Sequence, residues 1–148
     1  MKKKKYNIYI VSSNYYKNIS LKQIEFATKK LNELFGKNFL NIIIHKIDGS
    51  LELPFFVDYV LSKKKNIDGI ITLGCLVKGK TNHFENIAKT VSEKLLELSI
   101  KYKKPITSGV VAVNKAADIR ERTNGGKKDR AIEASNALYQ LISSMEKV

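Results

Sequence analysis

The sequence predicts an α/β fold, in which a four-stranded parallel sheet is covered by helices on both faces to give three layers. Two observations lead to this prediction: four apolar, β-branched segments occur along the chain, and segments with helical periodicity alternate with them. With 148 residues, of which 43% are hydrophobic, the chain can bury a sizeable core. We expect one domain over residues 1–148, with residues 1–5 as a basic tail.

The strands are predicted where apolar residues run without interruption, and the helices where they recur every three or four residues. Ser20 and Gln23 have the spacing of a capping box and predict the start of the first helix. Pro54 suits the first turn of a second helix. The predicted strands are Tyr6–Val11, Phe39–Ile44, Ile70–Leu73 and Ile106–Val113. The residues expected on buried helix faces are Leu21, Ile24, Ala27, Leu31 and Leu34, then Ile87, Ala88, Val91, Leu95 and Leu98, and finally Ala131, Ala134, Leu138, Leu141 and Met145.

The net charge of +13 is compatible with a nucleic acid, a membrane surface or a phosphorylated substrate as partner. The lysines form scattered short runs without interleaved aromatic residues, so we expect no nucleic-acid partner. No segment approaches the roughly 18 consecutive apolar residues of a membrane helix, so we expect no membrane partner. Cys75 is the single cysteine and cannot form an internal disulfide, which favours the cytoplasm.

The segment from Gly74 to Thr81 matches the P-loop pattern and lies between a predicted strand and a predicted helix. A P-loop also needs a later apolar strand that ends in Asp to hold Mg²⁺, whereas the fourth strand runs into Asn114. Free amides at a helix start together with Lys80 still predict an anion site, most naturally for phosphate. The alternative is a turn that uses glycine for conformational reasons.

Charged and titratable residues cluster in the predicted loops at the carboxyl ends of the strands, where ligands bind in such sheets. His83 follows Thr81 by two residues, and histidine suits proton transfer near neutrality. Glu52 either favours a helix N-terminus electrostatically or accepts hydrogen bonds from a polar heterocycle. Arg122 lies just before the Asn124-Gly125-Gly126 turn signal, where solvated surface charges are common. One Cys and two distant His make no zinc set, so we expect chemistry without a metal.

Taken together, these motifs resemble the lumazine synthase family over nearly the whole chain. The most specific match is Gly74–Glu85, where the family has Arg-Gly-x-Thr-x-His-Phe/Tyr-Asp/Glu and this chain has Lys78 for the Arg. Gly49–Pro54 matches the family's Gly-Ala/Ser-x-Glu-Ile/Leu-Pro. A third match runs from Pro105 through Gly109 to Arg122, then through the Asn124-Gly125-Gly126 turn to Asp129-Arg130 and Glu133-Ala134.

The resemblance implies a flavodoxin-like sheet and a role in riboflavin biosynthesis. The implied reaction condenses 5-amino-6-ribitylamino-uracil with 3,4-dihydroxy-2-butanone 4-phosphate to 6,7-dimethyl-8-ribityllumazine, with release of phosphate and water and without a cofactor. The resemblance also implies a homopentamer, which some members assemble into icosahedral shells, and riboflavin synthase as a candidate partner.

The resemblance further implies a role for each site residue. His83 would be the proton shuttle, and Arg122, from a neighbouring subunit, would bind phosphate together with Lys80 and Thr81. Arg130 and Glu133 would complete the site across the interface. The residues implied to bind the uracil and the ribityl chain are Tyr15, Gly49, Ser50, Glu52, Leu76, Val77 and Ser108. Tyr16, Lys78, Ser108 and Arg130 depart from the residues that the family commonly has at these positions.

Two other functions remain open from the sequence. One is a flavodoxin-like module that binds lumazine or flavin without turnover, and the other is a small P-loop protein that binds ATP or GTP with Mg²⁺.

Overall fold

The computed structural model describes residues 4–79 and 83–148. Its centre is a four-stranded sheet with the strand order β2-β1-β3-β4, and every neighbouring pair is parallel. The strands are β1 (Tyr6–Ser13), β2 (Leu40–Ile47), β3 (Gly69–Val77) and β4 (Ile106–Val113). The predicted α/β fold with a four-stranded parallel sheet is therefore confirmed.

The described residues form five helices beside the sheet: α1 (Lys17–Phe35), α2 (Leu53–Lys63), α3 (His83–Tyr102), α4 (Ile119–Thr123) and α5 (Arg130–Glu146). Short 3-10 turns occupy Lys37–Phe39, Ser50–Glu52 and Ala116–Asp118. Helices α1 and α5 pack on one face of the sheet, and α2 and α3 pack on the other. This arrangement is the expected three-layer αβα architecture.

The side chains of each strand alternate between the two faces of the sheet and pack against the helices on both sides. Ile8 and Ile10 of β1 face α1 and α5, whereas Tyr9 and Val11 face α2 and α3. Successive side chains of a strand point to opposite faces, so a strand covered on both sides is apolar throughout. The unbroken apolar segments of the sequence follow from this double coverage.

The capping-box prediction at Ser20 is wrong. Helix α1 begins three residues earlier, at Lys17, and its N-cap Tyr16 makes no side-chain capping bond. The Ser20 hydroxyl lies 2.9 Å from the Ser12 hydroxyl, and the Gln23 amide reaches backbone carbonyls of the sheet. Both side chains point inward because the sheet offers them polar partners, which local sequence does not reveal.

Three residues expected on buried helix faces are exposed instead: Leu21, Leu141 and Met145. In α5 the buried stripe runs through Ala134, Leu138 and Ile142, so Leu141 and Met145 lie on its flank. No helix in the two described segments is long and apolar enough to cross a membrane.

Strand β3 is longer than predicted, and its length contradicts the P-loop alternative. Gly74 to Val77 pair with Val110 to Val113 of β4 as regular strand residues. A P-loop would leave the strand at the first glycine and wrap its amides around phosphate. The chain instead continues as strand for four residues past Leu73, which was predicted to be the last.

Candidate functional site

A pocket of about 470 Å³ lies at the carboxyl end of the sheet. This is the end at which open parallel sheets bind ligands. Its described lining comes from four segments that are distant in sequence: the start of α1, the turn before α2, the end of β3 and the start of α3. The lining residues are Tyr15, Tyr16, Gly49, Ser50, Leu51, Glu52, Cys75, Leu76, Val77, Gly79, His83, Phe84 and Ile87.

Backbone and side-chain hydrogen bonds fix the turn that carries Gly49 and Ser50. The Asn14 amide donates to the Ile47 carbonyl over 2.6 Å, and the Ser13 hydroxyl donates to the Asp48 carbonyl over 3.4 Å. These bonds join the end of β1 to the loop after β2. Ser50 is consequently buried, and its hydroxyl faces Gly74 in β3.

Glu52 lies at the rim of this pocket and is exposed. It is the N-cap residue of α2, but its side chain makes no capping bond there. The carboxylate folds back over Gly49, close to where a side chain on that residue would lie. A carboxylate in this position can accept hydrogen bonds from hydroxyl or amide groups of a ligand.

Two adjacent aromatic rings form one side of the pocket. Tyr15 is 73% exposed, and Tyr16 meets it edge to face with ring centroids 4.9 Å apart. An aromatic ring this exposed beside a cavity is available to stack on a planar ligand. Burial, followed by the nearby Cys75 and Tyr15, raises the pKa of the Tyr16 phenol, so this phenol remains a hydrogen-bond donor at neutral pH.

Cys75 lines the pocket, although sequence reasoning gave it no role in the site. Only 5% of its surface is exposed, and burial raises the pKa of its thiol to about 11. The thiol is therefore protonated and weakly nucleophilic near neutrality. Its position next to Gly74, in the most specific sequence match, was the signal that could have identified it.

His83 is the first residue of α3, is exposed and lines the pocket. Phe84 and Ile87, one and four residues further along the helix, add apolar lining. Lys80 and Thr81, the predicted phosphate ligands, lie outside the described residues. Gly79, which follows β3, and His83, which begins α3, both line the pocket.

Four other predicted site residues, Ser108, Arg122, Arg130 and Glu133, do not belong to the described lining of this pocket. Arg130 forms an ion pair with Glu133 and donates to the Ser108 carbonyl over 3.1 Å. Arg122 is half-buried in α4. The structure therefore divides the predicted residues into a pocket group and a second group around β4, α4 and the start of α5.

Asp129 fixes the start of α5, which carries Arg130 and Glu133 of the second group. Its buried carboxylate accepts from the Ile132 amide over 3.0 Å and from the Gly125 amide over 2.8 Å. One side chain thereby caps α5 and closes the glycine turn that precedes it. Arg130 is therefore the first residue of α5 and is fixed next to this cap.

Comparison with known proteins gives consistent results. The family model for 6,7-dimethyl-8-ribityllumazine synthase matches residues 5–146. Similar proteins that carry this name include one from Parabacteroides distasonis, which is 31% identical over 93% of this chain and 84% of its own length. Others are from Limosilactobacillus reuteri, 26% identical over 90% of this chain and 86% of its own length, and from Ruthia magnifica, 27% identical over 97% and 88%.

Proposed function

The chain belongs to the 6,7-dimethyl-8-ribityllumazine synthase family, and we propose that the pocket at the carboxyl end of its sheet is the active site. Its function is the condensation of 5-amino-6-ribitylamino-uracil with 3,4-dihydroxy-2-butanone 4-phosphate in riboflavin biosynthesis. One observation supports the site assignment above the others. Segments around Tyr15, Ser50 and His83, far apart in sequence, line one cavity.

The uracil binds against Tyr15, with the apolar side chains of Leu76 and Val77 beside it. The exposed Tyr15 ring offers a stacking surface, and the Glu52 carboxylate accepts hydrogen bonds from the ribityl hydroxyls. Ser50 and Gly49 form the adjoining wall of the pocket. Holding both substrates in reactive orientation supplies much of the acceleration, since the reaction begins as a bimolecular attack.

His83 is the proton shuttle in this proposal. An amine of the uracil attacks the ketone and a first water leaves to give an imine, phosphate departs, and ring closure with loss of a second water gives the lumazine. Each step moves a proton, and an imidazole at the pocket wall can accept and return it. The departing phosphate binds near the start of α3, where helix amides attract an anion. Lys80 and Thr81, which precede this helix in the sequence, are the proposed side-chain ligands.

The second group of residues completes the pocket of a neighbouring subunit. Arg122 binds the phosphate there, and Arg130 and Glu133 adjoin it with Ser108. Two features support this: none of the four belongs to the described pocket lining of its own chain, and large apolar side chains are exposed on α2 and α3. These apolar side chains are Phe55 and Tyr59 in α2 and Leu96 and Ile100 in α3.

A closed ring of subunits, a pentamer in this proposal, would cover the exposed apolar side chains and pair each pocket with a neighbour's Arg122. A cytoplasmic location is proposed as well, because Cys75 is a buried, reduced thiol.

Mixing two impaired variants, assayed at a butanone phosphate concentration well below its Michaelis constant, tests the shared site. His83→Ala removes the shuttle from a pocket, and Arg122→Ala removes the phosphate ligand from the neighbour. When the two are unfolded together, refolded and assembled in equal amounts, about a quarter of the interfaces should pair an intact His83 with an intact Arg122. Activity should return to about that fraction of wild type. No recovery in verified mixed oligomers would contradict a site formed by two chains.

A further inference from the structure

Gln23 carries an amide into the interface between α1 and the sheet. Only 1% of its surface is exposed, and its neighbours along the buried face of α1 include the apolar Ile24 and Ala27. Burial of an amide is unfavourable unless its polar atoms are hydrogen-bonded. A leucine would fill a similar volume without that penalty, so the presence of Gln calls for an explanation.

The Gln23 amide nitrogen joins two strands. It donates to the Gly74 carbonyl of β3 over 3.0 Å and to the Gly109 carbonyl of β4 over 3.3 Å. The amide oxygen is buried and has no hydrogen-bond partner among the described residues. Half of the amide group is thus unsatisfied, which makes Gln23 a poor choice for stability alone.

The bridge lies where β3 loses one of its neighbours. Strand β1 pairs with β3 only as far as Leu73, and from Gly74 to Val77 the recorded pairing of β3 is with β4. This outer part of β3 carries Cys75, Leu76 and Val77, which line the pocket. Gln23 therefore holds β3 at the first residue beyond its support from β1.

The other end of the bridge reaches the second group of site residues. Gly109 follows Ser108, whose carbonyl accepts from Arg130. A Cβ on Gly109 would lie 3.2 Å from the Arg130 carbonyl, so the start of α5 packs directly on this residue. One side chain thus connects the pocket wall with the strand that supports Arg130.

We propose that Gln23 is a positioning residue, which fixes the pocket wall formed by the end of β3 relative to the Ser108–Arg130 group. The inference rests on the proposed function, because it assumes that the end of β3 lines this chain's own pocket and that the Ser108–Arg130 group completes the pocket of a neighbouring subunit. Gln23 itself is buried and does not belong to the described lining of the pocket.

Two variants test this role by kinetics. Gln23→Leu keeps the volume and removes the bridge, so the Michaelis constant for the ribitylamino-uracil should rise about fivefold to tenfold, since small misplacements are costly. A merely structural role would lower the active fraction and leave this constant unchanged. The matched control is Thr28→Val on the same helix, which removes a buried hydroxyl that likewise has no hydrogen-bond partner among the described residues. Its kinetics should equal those of wild type.

Gln23→Glu adds a pH-dependent readout that does not depend on Gln23→Leu folding well. A protonated carboxyl can donate to one carbonyl, whereas a carboxylate only accepts and would face two carbonyl oxygens. Burial and the carbonyls favour the protonated form, so activity relative to wild type should fall as the pH rises from about 6 to 8. The loss should reverse on returning to low pH.

Each result has a distinct meaning. An unchanged Michaelis constant in Gln23→Leu, together with a wild-type pH profile in Gln23→Glu, would overturn the positioning role alone. A folded wild-type protein without turnover, measured in parallel, would overturn the proposed function and this inference with it.

Discussion

Ser50 and Gly74 are in direct contact at the wall of the pocket: a Cβ on Gly74 would lie 2.9 Å from the Ser50 hydroxyl oxygen. The same Cβ would lie 3.2 Å from the Ser13 Cβ. The absence of a side chain at residue 74 thus allows the turn after β2 to approach β3. The position of Ser50 in the pocket depends on this close approach.

Gly74→Ala should therefore displace Ser50 and lower the free energy of unfolding by about 1–3 kcal/mol, as overpacking of a buried site does. Ser50→Ala removes the nearest atom, so the double variant should be less destabilised than the sum of the two single variants by about 0.5 kcal/mol or more. Urea unfolding at one protein concentration measures all three variants. Strict additivity would show that the two residues do not interact.

His83→Gln should lower kcat by about a hundredfold, near the lower limit of what a positioned acid or base contributes. The matched control is His45→Gln, the other histidine of the chain. His45 stacks on Tyr9 at 5.8 Å between ring centroids and does not belong to the described pocket lining. Steady-state kinetics on both variants, with their folding checked by circular dichroism, distinguish the two residues. Equal kcat values in the two variants would remove His83 from the mechanism.

Arg122→Ala should raise the Michaelis constant for the butanone phosphate by about tenfold or more, the usual loss for a charged hydrogen bond, and affect that for the uracil much less. The control is Arg120→Ala, two residues earlier in the same short helix and exposed. It removes one positive charge as well. A larger effect of Arg120→Ala would transfer the phosphate role to that residue, and equal effects on both substrates would contradict a phosphate role.

Cys75 should react slowly with iodoacetamide. Burial raises the pKa of this thiol from 9.0 to about 11, so below pH 9 the thiolate fraction falls about a hundredfold, and the thiolate is the reactive form. Because the pKa of this thiol is higher in the folded than in the unfolded state, the preference of the fold for the protonated thiol stabilises it fully below pH 9. The free energy of unfolding then falls as the pH rises toward 11. Mass spectrometry of protein alkylated at pH 8 measures the rate. A rate equal to that of free cysteine would contradict the buried position.

Lys103→Gly should stabilise the protein. Lys103 has a φ of 54°, and the Lys104 amide donates to the Ser99 carbonyl over 3.2 Å, as in a helix end that usually has glycine. Glycine adopts the left-handed conformation without strain, but it also makes the unfolded chain more flexible. The net effect should be an increase of about 0.5–1 kcal/mol in the free energy of unfolding. Lys104→Gly removes the same charge without this relief and should not stabilise. Urea unfolding at fixed protein concentration compares the two.

The sheet was predictable because strands covered on both faces are apolar throughout, and Ile70–Leu73 shows both the strength and the limit of this signal. The hydrogen-bonded ladder of β3 continues to Val77. Gly74 ends the β-branched run in the sequence but not the pairing, because β4 still lies alongside. The ends of strands are therefore set by neighbours that the local sequence does not contain.

The sequence predicts the lining residues that lie in recognisable motifs. It does not predict those that reach the pocket only through tertiary packing. Ser50, Glu52 and His83 lie in recognisable motifs and do line the cavity. Tyr16 and Cys75 line it as well, but only because α1 starts at Lys17 and β3 extends past Gly74. Both facts depend on tertiary contacts, and so does the inward orientation of Gln23.

The reaction itself tests the proposed function most directly. Purified protein is mixed with 5-amino-6-ribitylamino-uracil and 3,4-dihydroxy-2-butanone 4-phosphate, without added metal or nucleotide, and lumazine absorbance and fluorescence are followed against the uncatalysed rate. If the proposed function is right, product forms at a rate proportional to the protein concentration, and this rate falls in His83→Gln but not in His45→Gln. A folded, oligomeric protein that forms no product above the uncatalysed rate would contradict it and would favour a module that binds lumazine or flavin without turnover.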